Sequence, residues 1–317
     1  MIPQHTESLL SETSHYAAAY RNRLILIKCS GKVLDDAAAR ASVIGDILHL
    51  KSLGIDIILI HGGQTAITQA LEAARAKHPG VTNTAIDGRR ATDETNIGII
   101  AKTLASVNKS LVDDFRREAL RAGSGAAVSG IPGSAVFKST PPSARTSEGL
   151  INYEGGVNIS ANLGLLRAAM ARKRLVILSP LGLNAQDENM ILNQNADDVI
   201  APLMQLKPVK LILVSDKDGV HDADNRTISQ LSRQQAESLM QSGVIAGGMR
   251  VKVAAMIDLL QRNGALSSVS IVNGLVPGAI RQEVLTASGA PKATKLASRH
   301  FLRIDTLLME LSKELTR

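Results

Sequence analysis

The feature that most constrains the fold is a repeated unit: a short unbroken apolar run, a glycine-bearing turn, then a segment of helical periodicity. Leu24-Ile25-Leu26-Ile27 leads through Lys28-Cys29-Ser30-Gly31-Lys32 into the helical pattern of residues 36–53. Ile55-Asp56-Ile57-Ile58-Leu59-Ile60 leads through His61-Gly62-Gly63-Gln64 into that of residues 65–77. Apolar runs without alternation belong to strands buried on both faces, and a helix between two such strands makes them parallel. The β-α-β-α grammar predicts an α/β fold, a three-layer αβα sandwich around a mainly parallel sheet.

The remaining chain extends this plan. Strands are expected at residues 126–128, 175–180, 209–215 and 268–272, the last of these being the final clear strand. Helices are expected at 163–171, 232–241 and 252–261, with 93–122 a long helix broken once. Residues 132–148, with Pro141-Pro142 and many Ser, Thr and Gly, read as an exposed loop or hairpin. Amphipathic helices are expected at both ends, over 6–20 and 301–313. The first has too little to pack against alone, so it is either an arm for a partner or a lid on its own domain. No internal repeat interrupts the pattern.

Composition excludes several function classes. With 44% hydrophobic residues, 317 residues can bury a large core in one domain or two lobes. The net charge of +7 is spread thinly, as on a solvated surface that can also attract a small anionic substrate. Three Tyr, three Phe and no Trp leave little for stacking nucleic-acid bases. The single cysteine, Cys29, excludes an internal disulfide and a cysteine metal site, and suits a reducing cytosol. No secretory signal or membrane-length apolar stretch is visible.

Ligands of parallel sheets gather at the loops beyond the carboxyl ends of the strands. Ser30-Gly31, Gly62-Gly63 and Gly247-Gly248 fall in such loops, where glycine lets backbone N–H groups approach phosphate oxygens. Lys28 ends a buried strand and Lys252 begins a helix; an ammonium in such a place calls for an anionic partner. Asn193-Gln194-Asn195-Ala196-Asp197-Asp198 concentrates amides and carboxylates just before a buried strand. These parts suit phosphoryl transfer, which needs positioned charge more than covalent chemistry. A Walker loop, a protein-kinase catalytic loop, a Gly-x-Ser-x-Gly elbow and a histidine metal set are all missing from the sequence. His61, beside Gly62, is either a base or a structural residue.

In order along the chain, these motifs resemble the amino acid kinase family, and within it the acetylglutamate kinases of the arginine-sensitive type with an N-terminal helix. The resemblance spans about residues 6–297. It rests on Ile27-Lys28-Cys29-Ser30-Gly31, His61-Gly62-Gly63, Asp87-Gly88-Arg89-Arg90-Ala91-Thr92-Asp93, Val107-Asn108-Lys109, Asn193-Gln194-Asn195-Ala196-Asp197, Ser215-Asp216-Lys217-Asp218-Gly219-Val220 and the run from Gly243 to Lys252. It implies transfer of the γ-phosphoryl group of ATP, with Mg2+ carried on the nucleotide, to the side-chain carboxylate of N-acetyl-L-glutamate, in the cytoplasm.

The resemblance also implies roles. Lys28 and Lys252 would stabilise the transition state, with Asp197 holding both. Gly62 and Gly63 would turn N–H groups to the phosphoryl group, and Arg90 and Asn193 would hold the amino-acid substrate. Gly31, Ser215, Asp216, Lys217, Gly219 and Gly248 would lie along the nucleotide, and no metal site is expected on the protein itself. It implies an N-terminal arm over 1–22 that joins dimers into a hexamer, a substrate lobe over 23–185, a nucleotide lobe over 186–297 and a helical extension over 298–317. Departures from the family pattern, Ser30 and Gln64 in place of glycines and Ala287-Ser288 in place of acidic residues, predict hindered phosphate approach and weakened arginine control. The alternatives are a kinase of another N-acylated acidic amino acid and a catalytically weak binding or regulatory paralogue.

Overall fold

The computed structural model describes residues 4–86, 89–141, 153–156 and 158–297. Asp87-Gly88, residues 142–148 of the expected loop at 132–148 and the expected C-terminal helix at 301–313 lie outside the described residues. By compactness the chain forms two units with bounds of their own, different from the functional lobes expected above. One comprises Met1–Ile27, Ala37–Ile57 and Lys207–Arg317; the other comprises Lys28–Asp36 and Ile58–Leu206.

In the first unit, Lys210–Ser215 pairs in parallel with Ser268–Asn273, and Ser268–Asn273 pairs antiparallel with Ala293–Ala297. Gln230–Leu231 adds a short parallel edge to Ala293–Ala297. Leu24 O accepts from Val209 N at 2.9 Å and Arg23 O from Asp56 N at 3.0 Å, so both opening strands start in this unit. Ile25, Ile27, Leu211, Ile212, Val269 and Ile271 form its core. The strand Ala293–Ala297 and the helix Ala279–Leu285 are absent from the sequence-based pattern. That strand carries Thr294 and Lys295 rather than an apolar run, and both are buried because distant partners satisfy them.

In the second unit, the end of Asp56–His61 pairs in parallel with Leu175–Leu178, which pairs in parallel with Val128–Ile131. A smaller sheet runs Ile191–Asn193, Leu181–Asn184, Phe137–Ser139, Ile159–Ala161. Phe137–Ser139 thus corrects part of the expected exposed loop, and Phe137 and Ser139 are buried. The expected strand at 126–128 forms instead over Val128–Ile131. The helix Ile97–Arg121 is unbroken, against the expected interruption: Ile100, Leu104, Asn108, Leu111, Phe115 and Ala119 recur on one face, so a single straight stripe is buried. It starts four residues late because Asp93 Oδ1 accepts from the backbone N–H groups of Thr95 and Asn96, forming a turn ahead of the helix.

The N-terminal helix forms over Gln4–Tyr20. Tyr16 and Tyr20 stack at 6.3 Å and are buried, and Glu12 Oε1 accepts from Ala287 N at 2.5 Å. Its described side chains therefore cover part of their own chain. No described helix is long and apolar enough to cross a membrane.

Candidate active site

The first parallel strand extends to Cys29, not Ile27, and the expected turn closes at once into a short helix, Gly31–Asp35. Lys28 is therefore the penultimate strand residue, and its Nζ lies 2.8 Å from Asp197 Oδ1. Cys29 points into the core, where burial, only partly opposed by Lys28, pushes its thiol up to about 12 and leaves it un-ionised.

Lys28 and Asp197 border a cavity of about 310 Å³ that also touches Gly31, Gly62, Gly63 and Arg90, with Asn193 on its wall. The two glycine loops pack tightly against each other. A Cβ on Gly62 would lie 2.7 Å from Gly31 N, and one on Gly63 2.6 Å from Leu104 Cδ2, so neither position admits a side chain without movement. Among the described residues no hydrogen bond takes the N–H of Gly31, Gly63 or Gln64. Gly31 and Gln64 open helices, whose first N–H groups have no partner inside the helix. Three donors thus gather beside one lysine, the arrangement that binds phosphate oxygens.

The two departures from the family pattern leave these donors in place. Ser30 has extended backbone at φ −68°, which any residue adopts, and Gln64 is helical with an exposed side chain. The Ser30 hydroxyl is buried and has no partner among the described residues.

A second cation lines another wall. The guanidinium of Arg90 donates to Asn83 Oδ1, to Thr68 Oγ1 at 2.8 Å and to Gln64 O at 3.4 Å. Burial lowers its pKa from the ordinary arginine value, a direction that an anionic ligand opposes. Asn193 Nδ2 donates to Thr92 Oγ1 at 3.2 Å, and Thr92 Oγ1 to Arg90 O at 3.2 Å. This chain of contacts fixes Asn193 relative to Arg90. Asn195 Oδ1 accepts from Asp197 N at 3.0 Å and holds the turn that presents the carboxylate to Lys28.

The sequence did not single out Glu154 at this cavity, nor Thr68, Asn83 and Thr92 as the hydrogen-bond partners of Arg90 and Asn193. Thr92 lies inside a quoted motif, so its signal was present; Thr68 lies within the helix Gln64–Arg75, Asn83 in a loop and Glu154 in an isolated bridge to Asn193, none with a distinguishing pattern.

The remaining candidates belong to the first unit. Ser215 ends its strand opposite Asn273, and its hydroxyl accepts from Lys217 N at 3.1 Å. Asn273 Nδ2 donates to Asp218 Oδ1 at 2.7 Å, which fastens the loop containing Asp216 and Lys217. A Cβ on Gly219 would fall 2.2 Å from Thr294 Oγ1, so the loop turns against that strand only with glycine there. Gly247 and Gly248 are not a separate turn: they begin the helix Gly247–Arg262, with Gly247 at φ +54°. The helix thus starts five residues earlier than expected, and Lys252 stands exposed in its second turn.

The amino acid kinase family model matches residues 23–273. The chain is 32% identical to an acetylglutamate kinase of Akkermansia muciniphila, across 86% of this chain and 90% of that one. It is 29% identical to an acetylglutamate kinase of Rhodospirillum rubrum, across 90% and 91%. Among solved structures, N-acetylglutamate synthase from Neisseria gonorrhoeae, complexed with coenzyme A and L-arginine, superposes with a TM-score of 0.73 at 24% identity. That match covers 91% of this chain but only 64% of the synthase. Carbamate kinase from Giardia lamblia bound to AMP-PNP superposes with a TM-score of 0.61 at 12% identity, across 87% and 98%. At these identities the two structures establish a shared fold.

Proposed function

The chain belongs to the amino acid kinase family, and from that premise we propose that it transfers the γ-phosphoryl group of ATP to the side-chain carboxylate of N-acetyl-L-glutamate, a step of arginine biosynthesis. The products are an acyl phosphate and ADP. The reading is carried by one observation: the Lys28–Asp197 pair borders the same cavity as Gly31, Gly63 and Gln64, whose N–H groups have no hydrogen-bond partner among the described residues.

ATP with Mg2+ supplies the transferable phosphoryl group, and the donor set fits its anionic oxygens. The acceptor carboxylate is ionised at neutral pH, so the protein needs to position and stabilise charge rather than remove a proton. Lys28 neutralises the developing charge and Asp197 orients Lys28; the glycine-loop N–H groups hold the phosphoryl oxygens. Arg90 takes the α-carboxylate through its planar fork, while Asn193 hydrogen-bonds the acylamino end. Lys252 is the second charge stabiliser, and Ser215, Asp216, Lys217, Gly219 and Gly248 bind nucleotide. The functional lobes of this proposal are 23–185 for the amino acid and 186–297 for the nucleotide, in a cytoplasmic enzyme.

Incubation with MgATP, N-acetyl-L-glutamate and hydroxylamine should yield the acyl hydroxamate. No product from acetylglutamate, acetylaspartate or acetylaminoadipate would overturn the proposal. Self-association through the N-terminal helix belongs to the same reading. Light scattering should show a hexamer that falls to dimers when residues 1–20 are removed, and a full-length dimer would refute that assembly.

A further inference from the structure

His61 precedes the glycine pair, and both of its ring nitrogens are engaged. The ring is fully buried. Its Nε2 lies 3.2 Å from Asn108 Nδ2, which also donates to Ile177 O at 3.1 Å. A carbonyl oxygen only accepts, so the Asn108 amide is oriented with its nitrogen toward Ile177. That nitrogen has only hydrogens to offer, so His61 Nε2 must accept and the ring proton sits on Nδ1. His61 Nδ1 stands 3.0 Å from Gly62 O. Asn108 fits this place because Gly130 leaves room: a Cβ there would lie 2.5 Å from Asn108 Oδ1 and 2.8 Å from Val112 Cγ2.

We propose that His61 is a positioning residue, whose Nδ1–H holds the Gly62 carbonyl so that the Gly63 N–H stays turned to the phosphate cavity. In a trans peptide the carbonyl and the following N–H point in opposite directions, and no cis peptide occurs among the described residues. Anchoring Gly62 O therefore sets Gly63 N–H. The anchor is needed because consecutive glycines restrict their own backbone very little. Gly62 N–H is already committed to Cys29 O at 2.8 Å, so the loop is fixed on one side through its amide and on the other through its carbonyl. His61 has no nitrogen left to serve as a base, which settles the choice left open by sequence.

The inference rests on the phosphoryl-transfer reading, and two variants isolate it. Asparagine places an N–H donor at the same number of bonds from the backbone as Nδ1; leucine has a similar shape and no donor. His61→Leu should lower kcat about 10- to 100-fold, with KM for the acylamino acid within about threefold, because the lost donor alignment acts on the transition state. His61→Asn should recover at least about tenfold of that loss. Equal kcat in the two variants, or a loss explained by a smaller folded fraction, would overturn the proposal. Ring nitrogen NMR of the wild type should show Nδ1 protonated and Nε2 bare; the reverse tautomer would also overturn it. The ring signals need no turnover. A wild type without acyl hydroxamate would therefore sink the kinase reading, while the tautomer still decides the His61 arrangement.

Discussion

Two lysine–carboxylate pairs, one in each unit, have almost the same separation and opposite surroundings. Lys210 Nζ lies 2.9 Å from Glu283 Oε1, and Lys28 Nζ lies 2.8 Å from Asp197 Oδ1. Both Lys210 and Glu283 side chains are 1% exposed, against 15% for Lys28 and 47% for Asp197. Glu283 is saturated: Oε1 also accepts from Ser270 Oγ at 2.6 Å, Oε2 accepts from Ala290 N at 3.1 Å, and Lys295 adds a second ammonium at 3.8 Å. Lys210 also donates to Glu283 O at 2.8 Å. Gly289, at φ +71°, closes the site, since a Cβ there would lie 2.6 Å from Oε2. The Lys28 pair instead borders a cavity whose backbone donors have no partner among the described residues. Separation does not distinguish a structural ion pair from one built for a ligand; saturation of the surrounding donors and acceptors does.

The sharpest way to break this contrast is to remove each carboxylate or lysine and read stability and activity separately. Glu283→Ala leaves two buried ammonium groups without their carboxylate and should cost about 3–5 kcal/mol, measured by denaturant unfolding. Turnover per folded molecule should change little. The same cluster has a pH signature. Burial alone would raise the pKa of Glu283, yet Lys210, then Lys295 and the Ser270 hydrogen bond, bring it below the ordinary 4.5. A depressed folded-state pKa gives stability that is present above the unfolded value and lost as pH falls through the folded one. Glu283→Gln should therefore flatten the loss of stability in that acid range, and an unchanged slope would count against the assignment.

Lys28→Ala should do the reverse, cutting turnover by at least about 100-fold while leaving unfolding free energy within about 1 kcal/mol. A large stability loss with normal turnover of the folded fraction would make it a second structural pair. Arg90→Lys tests the opposite wall with a smaller effect: KM for the acylamino acid should rise about tenfold as the planar fork is lost, with kcat nearly kept. A loss confined to kcat would move Arg90 away from substrate binding.

How much was legible varied with the range of the forces involved. The unbroken runs at residues 24–27 and 55–60 announced buried parallel strands, and Lys28, Gly31, Gly62, Gly63, Arg90, Asn193 and Asp197 do meet at one cavity. The antiparallel strand Ala293–Ala297 was illegible, because Thr294 and Lys295 are buried through contacts with Val220, Ile228 and Glu283 rather than through their own hydrophobicity. The break expected near the long helix failed for a related reason: its polar residues interrupt the pattern, but one buried stripe runs its length.

By itself the sequence determined what depends on neighbours along the chain: strand and helix periodicity, glycine loops at strand ends, the lysine that ends the first strand and membership in a family of kinases. Only the tertiary structure decided which polar groups are spent and which remain available. Lys210, Ser270, Glu283 and Ala290 saturate one another across the fold, whereas Gly31, Gly63 and Gln64 retain donors beside Lys28. His61, Asn108 and Ile177 show the same division, since the tautomer that anchors Gly62 is fixed by residues 47 and 116 positions away from it in sequence. Hydrogen-bond satisfaction is a property of three-dimensional neighbours, and periodicity along a chain carries no record of it.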